Sequence, residues 1–284
     1  MRLATLLPVG IGVVTGEAVV PVESRTMDEV LEHWQGLRDQ LAALPATHAA
    51  VPLNQVRLGP PVPHPSKIWA AAGNYRRGTG NLADGSGRGS GRTEDPQALL
   101  DMIFLKPPSA IAGPSTKLVI PPNAETIFPE LELCVVIGRK CRNLAPDEVW
   151  DAIFGYTIIL DVTARGYGAG GSLVATRNVR KGFDTFAPIG PWIVTRDEIA
   201  DPEALAMRLW VNGELRQSAR TDAMINGVAT LVSYLSYVST LLPGDLIATG
   251  NPDSPDFQQQ LQPGDELKAE IEGIGAMTLT VAGS

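Results

Sequence analysis

The spacing of apolar residues changes several times along the chain, and each change marks an element. Residues 3–23 alternate short apolar runs with Gly10, Gly12 and Gly16, which predicts two or three short strands joined by turns. Thr26 and Glu29 then have the spacing of a capping box. Behind them Met27, Val30, Leu31, Trp34, Leu37, Leu41 and Leu44 share one helical face, predicting a single helix that Pro45 ends. Residues 46–66, with Pro52, Pro60, Pro61, Pro63 and Pro65, read as a connector. From Ile68 the pattern is mostly strand: 68–72, 104–108, 117–120, Glu130–Ile137 and Tyr156–Leu160, with a short helix at 147–153. Asn212-Gly213 inside Trp210–Leu215 predicts a hairpin, because Asn-Gly readily takes the positive φ of a type I′ turn. A helix is expected over roughly 222–242 with Met224, Ile225, Val228, Leu231, Leu235 and Val238 inward. A strand at 246–249 and a hairpin over 266–272 and 276–282 complete the chain. The expected class is α+β and β-rich: a small N-terminal α/β domain with its connector over 1–64, and a large domain over 65–284.

The 284 residues, 44% apolar and 19% charged, suit a globular chain able to bury a large core. The formal net charge of −8, with no cluster of Lys and Arg, argues against nucleic acid and suits a site that attracts cations. No apolar run approaches the ~20 residues that span a bilayer. The apolar start breaks at Pro8 and Gly10, too early for a signal-peptide core. Cys134 and Cys141 form neither a disulfide framework nor a CxxC pattern, so a cytoplasmic protein with reduced thiols is expected.

The candidate chemistry centres on Pro129–Ile137. In a strand Glu130 and Glu132 point to the same face, and two carboxylates beside an apolar run repel unless a cation joins them. Alone, a Glu-x-Glu pair reads more readily as a solvent-facing strand edge. Asp161 shifts that balance, because it ends the apolar strand Ile158-Ile159-Leu160, where a carboxylate is costly unless paired or ligating. Three oxygen donors without His or Cys suit Mg²⁺, Mn²⁺ or Ca²⁺. Cys134 shares that face and reads as a small buried hydrophobe. The three histidines, His33, His48 and His64, all precede residue 65, which disfavours a His-rich zinc site or a Ser-His-Asp triad in the large domain.

Seven segments in order, Lys67–Arg77, Ile103–Pro114, Pro129–Arg139, Gly155–Arg165, Lys181–Thr195, Trp210–Gln217 and Leu241–Pro252, make residues 67–282 resemble the fumarylacetoacetate hydrolase family. The resemblance implies a mixed β-sheet roll, commonly dimeric, around Mg²⁺ or Mn²⁺, acting on small 2-oxo or 1,3-dioxo acids by hydrolysis, decarboxylation, hydration or tautomerisation. It implies that Glu130, Glu132 and Asp161 hold the metal, with Lys181 as the active-site lysine. Arg165, Thr185 and Asn251 match positions on the substrate side; Lys106 and Ser109 fall in a matching segment without an assigned role. The departures are as definite. Where the family has a lid His and a Glu three residues on, this chain has Gly78 and Asn81, and Gly166 and Gly168 replace an Asp and a Gln. Asn251 itself replaces a Thr. The metal half of the site is retained while the water-activating base is altered. Asp84, Glu94 and Asp95, in or beside a segment with six glycines over 78–92, are candidate replacements on an expected mobile lid. The expectation is a metal-dependent hydrolase cleaving a C–C bond in an acylpyruvate-like acid. A tautomerase, decarboxylase or dehydratase of a 2-oxo acid is the alternative, and a non-catalytic binding relative a third.

Overall fold

The computed structural model describes residues 1–8, 10–22, 24–76, 79, 93–122, 124–165, 177–252 and 260–284, with the backbone alone at Arg165. The strands β1 (Arg2–Leu7), β2 (Ile11–Thr15) and β3 (Ala18–Val22) pair antiparallel in sequence order. Two helices follow where one was expected, α1 (Met27–Glu32) and α2 (Trp34–Thr47). Both bonds of the Thr26–Glu29 capping box are made. The chain breaks at His33 (φ −113°, ψ 23°), and Trp34 meets the edge of Phe154 with ring centroids 4.8 Å apart. Pro45 does not end α2. It removes only its own N–H, and His48 N–H still reaches the Leu44 carbonyl at 2.9 Å, so the last turn survives.

Short strands β4 (Val51–Pro52) and β5 (Arg57–Leu58) lead to β6 (Ile68–Ala70). Helix α3 (Pro96–Leu100) precedes β7 (Phe104–Lys106), β8 (Ile111–Ala112), β9 (Leu118–Ile120) and β10 (Thr126–Phe128). The strands β11 (Leu131–Ile137) and β12 (Ile153–Leu160) are buried at every position, so they read as continuous apolar runs rather than alternating ones. After β13 (Thr163–Arg165) and α4 (Arg177–Arg180) comes β14 (Ala187–Thr195), a nine-residue strand that the sequence pattern did not single out. The hairpin of β15 (Ala206–Val211) and β16 (Glu214–Arg220) turns at Asn212 (φ 51°) and Gly213 (φ 80°), as its sequence predicts. Helix α5 (Val228–Val238), β17 (Leu246–Ala248), β18 (Glu266–Ile271) and β19 (Gly275–Gly283) complete the chain.

Helix α5 is shorter than the apolar spacing suggested, and Val238 is exposed. Met224 and Ile225 stand outside it, because Asn74 holds this segment: its carbonyl takes the Ile225 N–H and its side chain the Asn226 N–H, both at 2.8 Å. Among the described residues the strands form sheets of twelve, five and two strands. The largest runs β4-β3-β2-β1-β14-β12-β11-β17-β6-β7, with β5 on β1 and β8 on β14. Its pairings are mixed, since β17 lies parallel to β6 and β14 parallel to β8. The five-stranded sheet, β16-β15-β18-β19-β9, alternates buried and exposed residues along β18 and β19. Arg2 of β1 pairs with Val194 of β14, so the main sheet runs across the boundary expected at residues 64 and 65. Leu3, Ile11, Met27 and Leu31 accordingly share one core with Leu133, Ile158 and Ile189. Among the described residues no helix is long and apolar enough to cross a membrane, and Cys134 and Cys141 are buried free thiols.

Candidate metal centre

The site forms where β11 begins and β12 ends. Leu131 lies opposite Leu160, so the antiparallel register carries on to set Glu130 opposite Asp161, and Asp161 N–H donates to the Glu130 carbonyl at 2.8 Å. Residues directly opposite share a face, as do residues two apart on one strand. Glu130, Glu132 and Asp161 therefore converge, with carboxylate oxygens within 4.8 Å of one another. Glu132 and Asp161 are buried and Glu130 is partly open. One hard cation with metal–oxygen distances of about 2.0–2.6 Å bridges oxygens that far apart, so the donor set fits Mg²⁺, Mn²⁺ or Ca²⁺.

Two lysines reach the carboxylates. Lys181, just after α4, donates from Nζ to Glu130 Oε2 and Asp161 Oδ2. Its ammonium also sits 5.4 Å from the centre of the Phe104 ring. Lys106, at the end of β7, is 1% exposed and donates to Asp161 Oδ1 at 2.7 Å and the Lys181 carbonyl at 2.5 Å, with the Val162 carbonyl at 3.5 Å. Its three hydrogens thus face three acceptors, the pattern of an ammonium ion. Gly250 N–H completes the shell, donating to Glu132 Oε2 at 2.7 Å. Gly250 has φ 92°, and a Cβ there would stand 2.9 Å from Asn74 Cβ, so the close approach requires glycine. Asn74 anchors this turn by donating to the Thr249 carbonyl at 2.9 Å.

Three carboxylates against two ammonium groups leave one negative charge when all are ionised. Burial pushes the Glu132 carboxyl well above its ordinary range, and the charges of Asp161 and Glu130 push it further. For Asp161 burial acts the same way but is outweighed by Lys106 and Lys181, which hold it below the usual carboxylate range. Lys181 is raised, because Asp161, Glu130 and Glu132 overcome the burial that would lower it. Burial draws Lys106 down; Asp161 offsets only part of this, with Lys181 opposing it. A divalent cation on these carboxylates would neutralise the same charge.

The other residues singled out from the sequence have mixed placements. Thr185 (φ 67°) accepts the Val119 N–H on Oγ1 at 2.9 Å and lies four residues beyond Lys181. Asn251 follows Gly250 directly and donates to the Pro252 carbonyl at 3.0 Å. Arg165 pairs with Thr126 through its backbone. Asp95 is the N-cap of α3, accepting from Gln97 N–H at 3.1 Å, and Glu94 beside it is exposed. Asp84, Gly78, Asn81, Gly166 and Gly168, with most of the expected lid, lie outside the described residues. His33, His48 and His64 are exposed, and His64 pairs with Asp28 at 2.8 Å. The sequence assigns Lys106 no role. Its signal was strand parity: Phe104 and Lys106 share the inward face while Leu105, between them, is 38% exposed. A cavity of about 860 Å³, lined by Trp34, Arg38, Arg139, Trp150 and Arg196 among others, contains none of the three carboxylates.

The family model for the fumarylacetoacetate (FAA) hydrolase C-terminal domain matches residues 67–282. The maleylpyruvate hydrolase of Aquipseudomonas alcaligenes is 36% identical over 255 residues, covering 89% of this chain and 85% of the relative. The mitochondrial oxaloacetate tautomerase FAHD2B of Bos taurus is 34% identical over 279 residues, covering 94% and 83%. A crystal structure of the maleylpyruvate hydrolase from Sphingobium sp. SYK-6, in complex with manganese(II) and pyruvate, superposes with a TM-score of 0.82. It is 34% identical, with all of both chains covered. With the matched domain spanning most of its length and the carboxylates gathered as the sequence suggested, the chain belongs to the fumarylacetoacetate hydrolase family.

Proposed function

We propose that this protein is a divalent-metal-dependent hydrolase that cleaves a C–C bond in an acylpyruvate-like 1,3-dioxo acid. The observation that carries the reading is the convergence of Glu130, Glu132 and Asp161 within 4.8 Å, with the Lys181 ammonium beside them. Mg²⁺ or Mn²⁺ held by those carboxylates supplies Lewis-acid stabilisation of negative charge on the 2-oxo acid. Lys181 supplies a second, fixed positive charge. Because its neighbours raise its pKa, it stays protonated and can hold a substrate carboxylate or the oxygen of a departing enolate. Lys106 keeps Asp161 turned so that Oδ2 faces the centre. Thr185 and Asn251 flank these groups in sequence and are proposed substrate contacts, together with Arg165; Asp84, Glu94 and Asp95 remain the proposed water-activating bases.

A second reading keeps the enolate chemistry and omits the water: a tautomerase, decarboxylase or dehydratase of a 2-oxo acid. Gly78 and Asn81 favour it, since neither can accept the proton that the family's His and Glu would take. Hydrolase and tautomerase names both occur among the relatives. The test is turnover with Mg²⁺ and with Mn²⁺ over acylpyruvates, oxaloacetate and fumarylpyruvate, with products identified by mass. Cleavage into two acids supports hydrolysis; an unchanged mass with a changed spectrum supports tautomerisation. No metal-dependent turnover of any of them would overturn both readings. The proposed assembly is a homodimer in the cytoplasm, which light scattering and fractionation test.

A further inference from the structure

Gln217 lies on β16, fully buried, and commits its side-chain amide to one residue 86 positions earlier. Its Oε1 accepts the Leu131 N–H at 3.1 Å, and its Nε2 donates to the Leu131 carbonyl at 2.9 Å. Leu131 is the residue between Glu130 and Glu132. Its backbone groups point away from β12, toward the side where β17 pairs with β11. That pairing covers only Cys134–Val136, and Thr249 extends it by one step, donating N–H and Oγ1 to the Leu133 carbonyl at 3.0 Å each. The chain then turns at Gly250 to reach the Glu132 carboxylate. Among the described residues no neighbouring strand pairs with Leu131 on that side, yet an unpaired N–H and C=O in a dry interior would each cost about 1–3 kcal/mol. The Gln217 amide fills the gap with the one donor and one acceptor that another strand would have presented.

We propose that Gln217 is a positioning residue for the metal centre, setting the separation and common direction of the Glu130 and Glu132 carboxylates through the backbone between them. The proposal rests on the reading of Glu130, Glu132 and Asp161 as metal ligands. Two like charges two residues apart push the strand end to splay, and a hard cation tolerates ligand displacements of only about 0.2 Å. A neutral amide holds the strand end without adding a further charge beside the three carboxylates and two lysines. Leu131, itself fully buried, sends its side chain to the opposite face of the strand from the two carboxylates.

Gln217→Met keeps length and burial and removes both bonds; Gln217→Asn keeps the amide but falls one methylene short. Mn²⁺ affinity is measured by calorimetry and by electron paramagnetic resonance of free Mn²⁺, well below each variant's melting temperature, with Glu132→Ala as the reference for lost binding. Gln217→Met is expected to weaken Mn²⁺ binding about 10- to 100-fold, the usual range for a residue that orients a ligand, with Gln217→Asn between it and the wild type. A role in stability alone would lower the melting temperature and leave the affinity unchanged. Wild-type affinity in folded Gln217→Met overturns the proposal, and if that variant fails to fold, wild-type affinity in Gln217→Asn does so. Absence of Mn²⁺ binding by the wild type would instead overturn the ligand assignment on which the proposal stands.

Discussion

Replacing Glu132 by glutamine should stabilise the metal-free protein while abolishing its response to metal. The Glu132 carboxylate is 1% exposed and lies within 4.8 Å of two others, with Gly250 N–H as its hydrogen-bond donor. At an effective dielectric constant near 20, each such repulsion is worth about 3.5 kcal/mol. Lys181, which touches both neighbours, offsets roughly one of the two. The amide keeps an oxygen for Gly250 and offers N–H donors to the remaining carboxylates, so the net gain is about 2–3 kcal/mol. For a chain of this size that is roughly 3–5 °C in melting temperature. The pH dependence follows from the raised Glu132 carboxyl. The folded protein holds that proton more tightly than the unfolded chain does. The resulting stability is complete below the ordinary glutamate value of 4.5 and is lost as pH rises through the higher folded value. Wild type and variant should therefore melt together in acid and diverge as pH rises, the variant being the more stable. Thermal melts in EDTA from about pH 4 to 8 test this. Adding Mn²⁺ at a hundredfold excess over its Kd should then raise the wild type by about 2.7 kcal/mol and leave the variant unmoved. Equal or lower stability of Glu132→Gln in EDTA near pH 8 would refute the argument that these carboxylates are undercompensated.

Three further outcomes are expected. Lys106→Met, which strands Asp161 Oδ1 and two backbone carbonyls in the interior, should cost about 3 kcal/mol in chemical denaturation; unchanged stability would show that the ammonium is not needed there. Lys181→Met should lower kcat by about 100-fold or more and destabilise the protein in EDTA, with saturating Mn²⁺ recovering stability but not turnover; wild-type turnover would remove Lys181 from the chemistry. Burial pushes both the Cys134 and the Cys141 thiols up. A chromogenic disulfide reagent should accordingly titrate neither until denaturant is added; rapid reaction of the native protein would contradict their placement.

Much of the site was legible because its determinants are local. Strand parity aligns Glu130 with Glu132, and a carboxylate ending an apolar strand marks Asp161, whatever the rest of the chain does. The Asn212-Gly213 turn and the Thr26–Glu29 cap are equally short-range, each set by backbone geometry over four residues or fewer. Tertiary structure decided what depends on partners distant in sequence. The break at His33 and the late start of α5 arise where Trp34 meets Phe154 and Asn74 holds 225–226, contacts that helical periodicity does not encode. The same holds for joining β1 to β14, since the edge that accepts the N-terminal strands is built some 190 residues later. Lys106 and Gln217 stayed hidden for this reason. A lysine or glutamine in a short strand reads as solvated until packing removes the water, and only then do Asp161, 55 residues on, and Leu131, 86 residues back, become the groups that complete them.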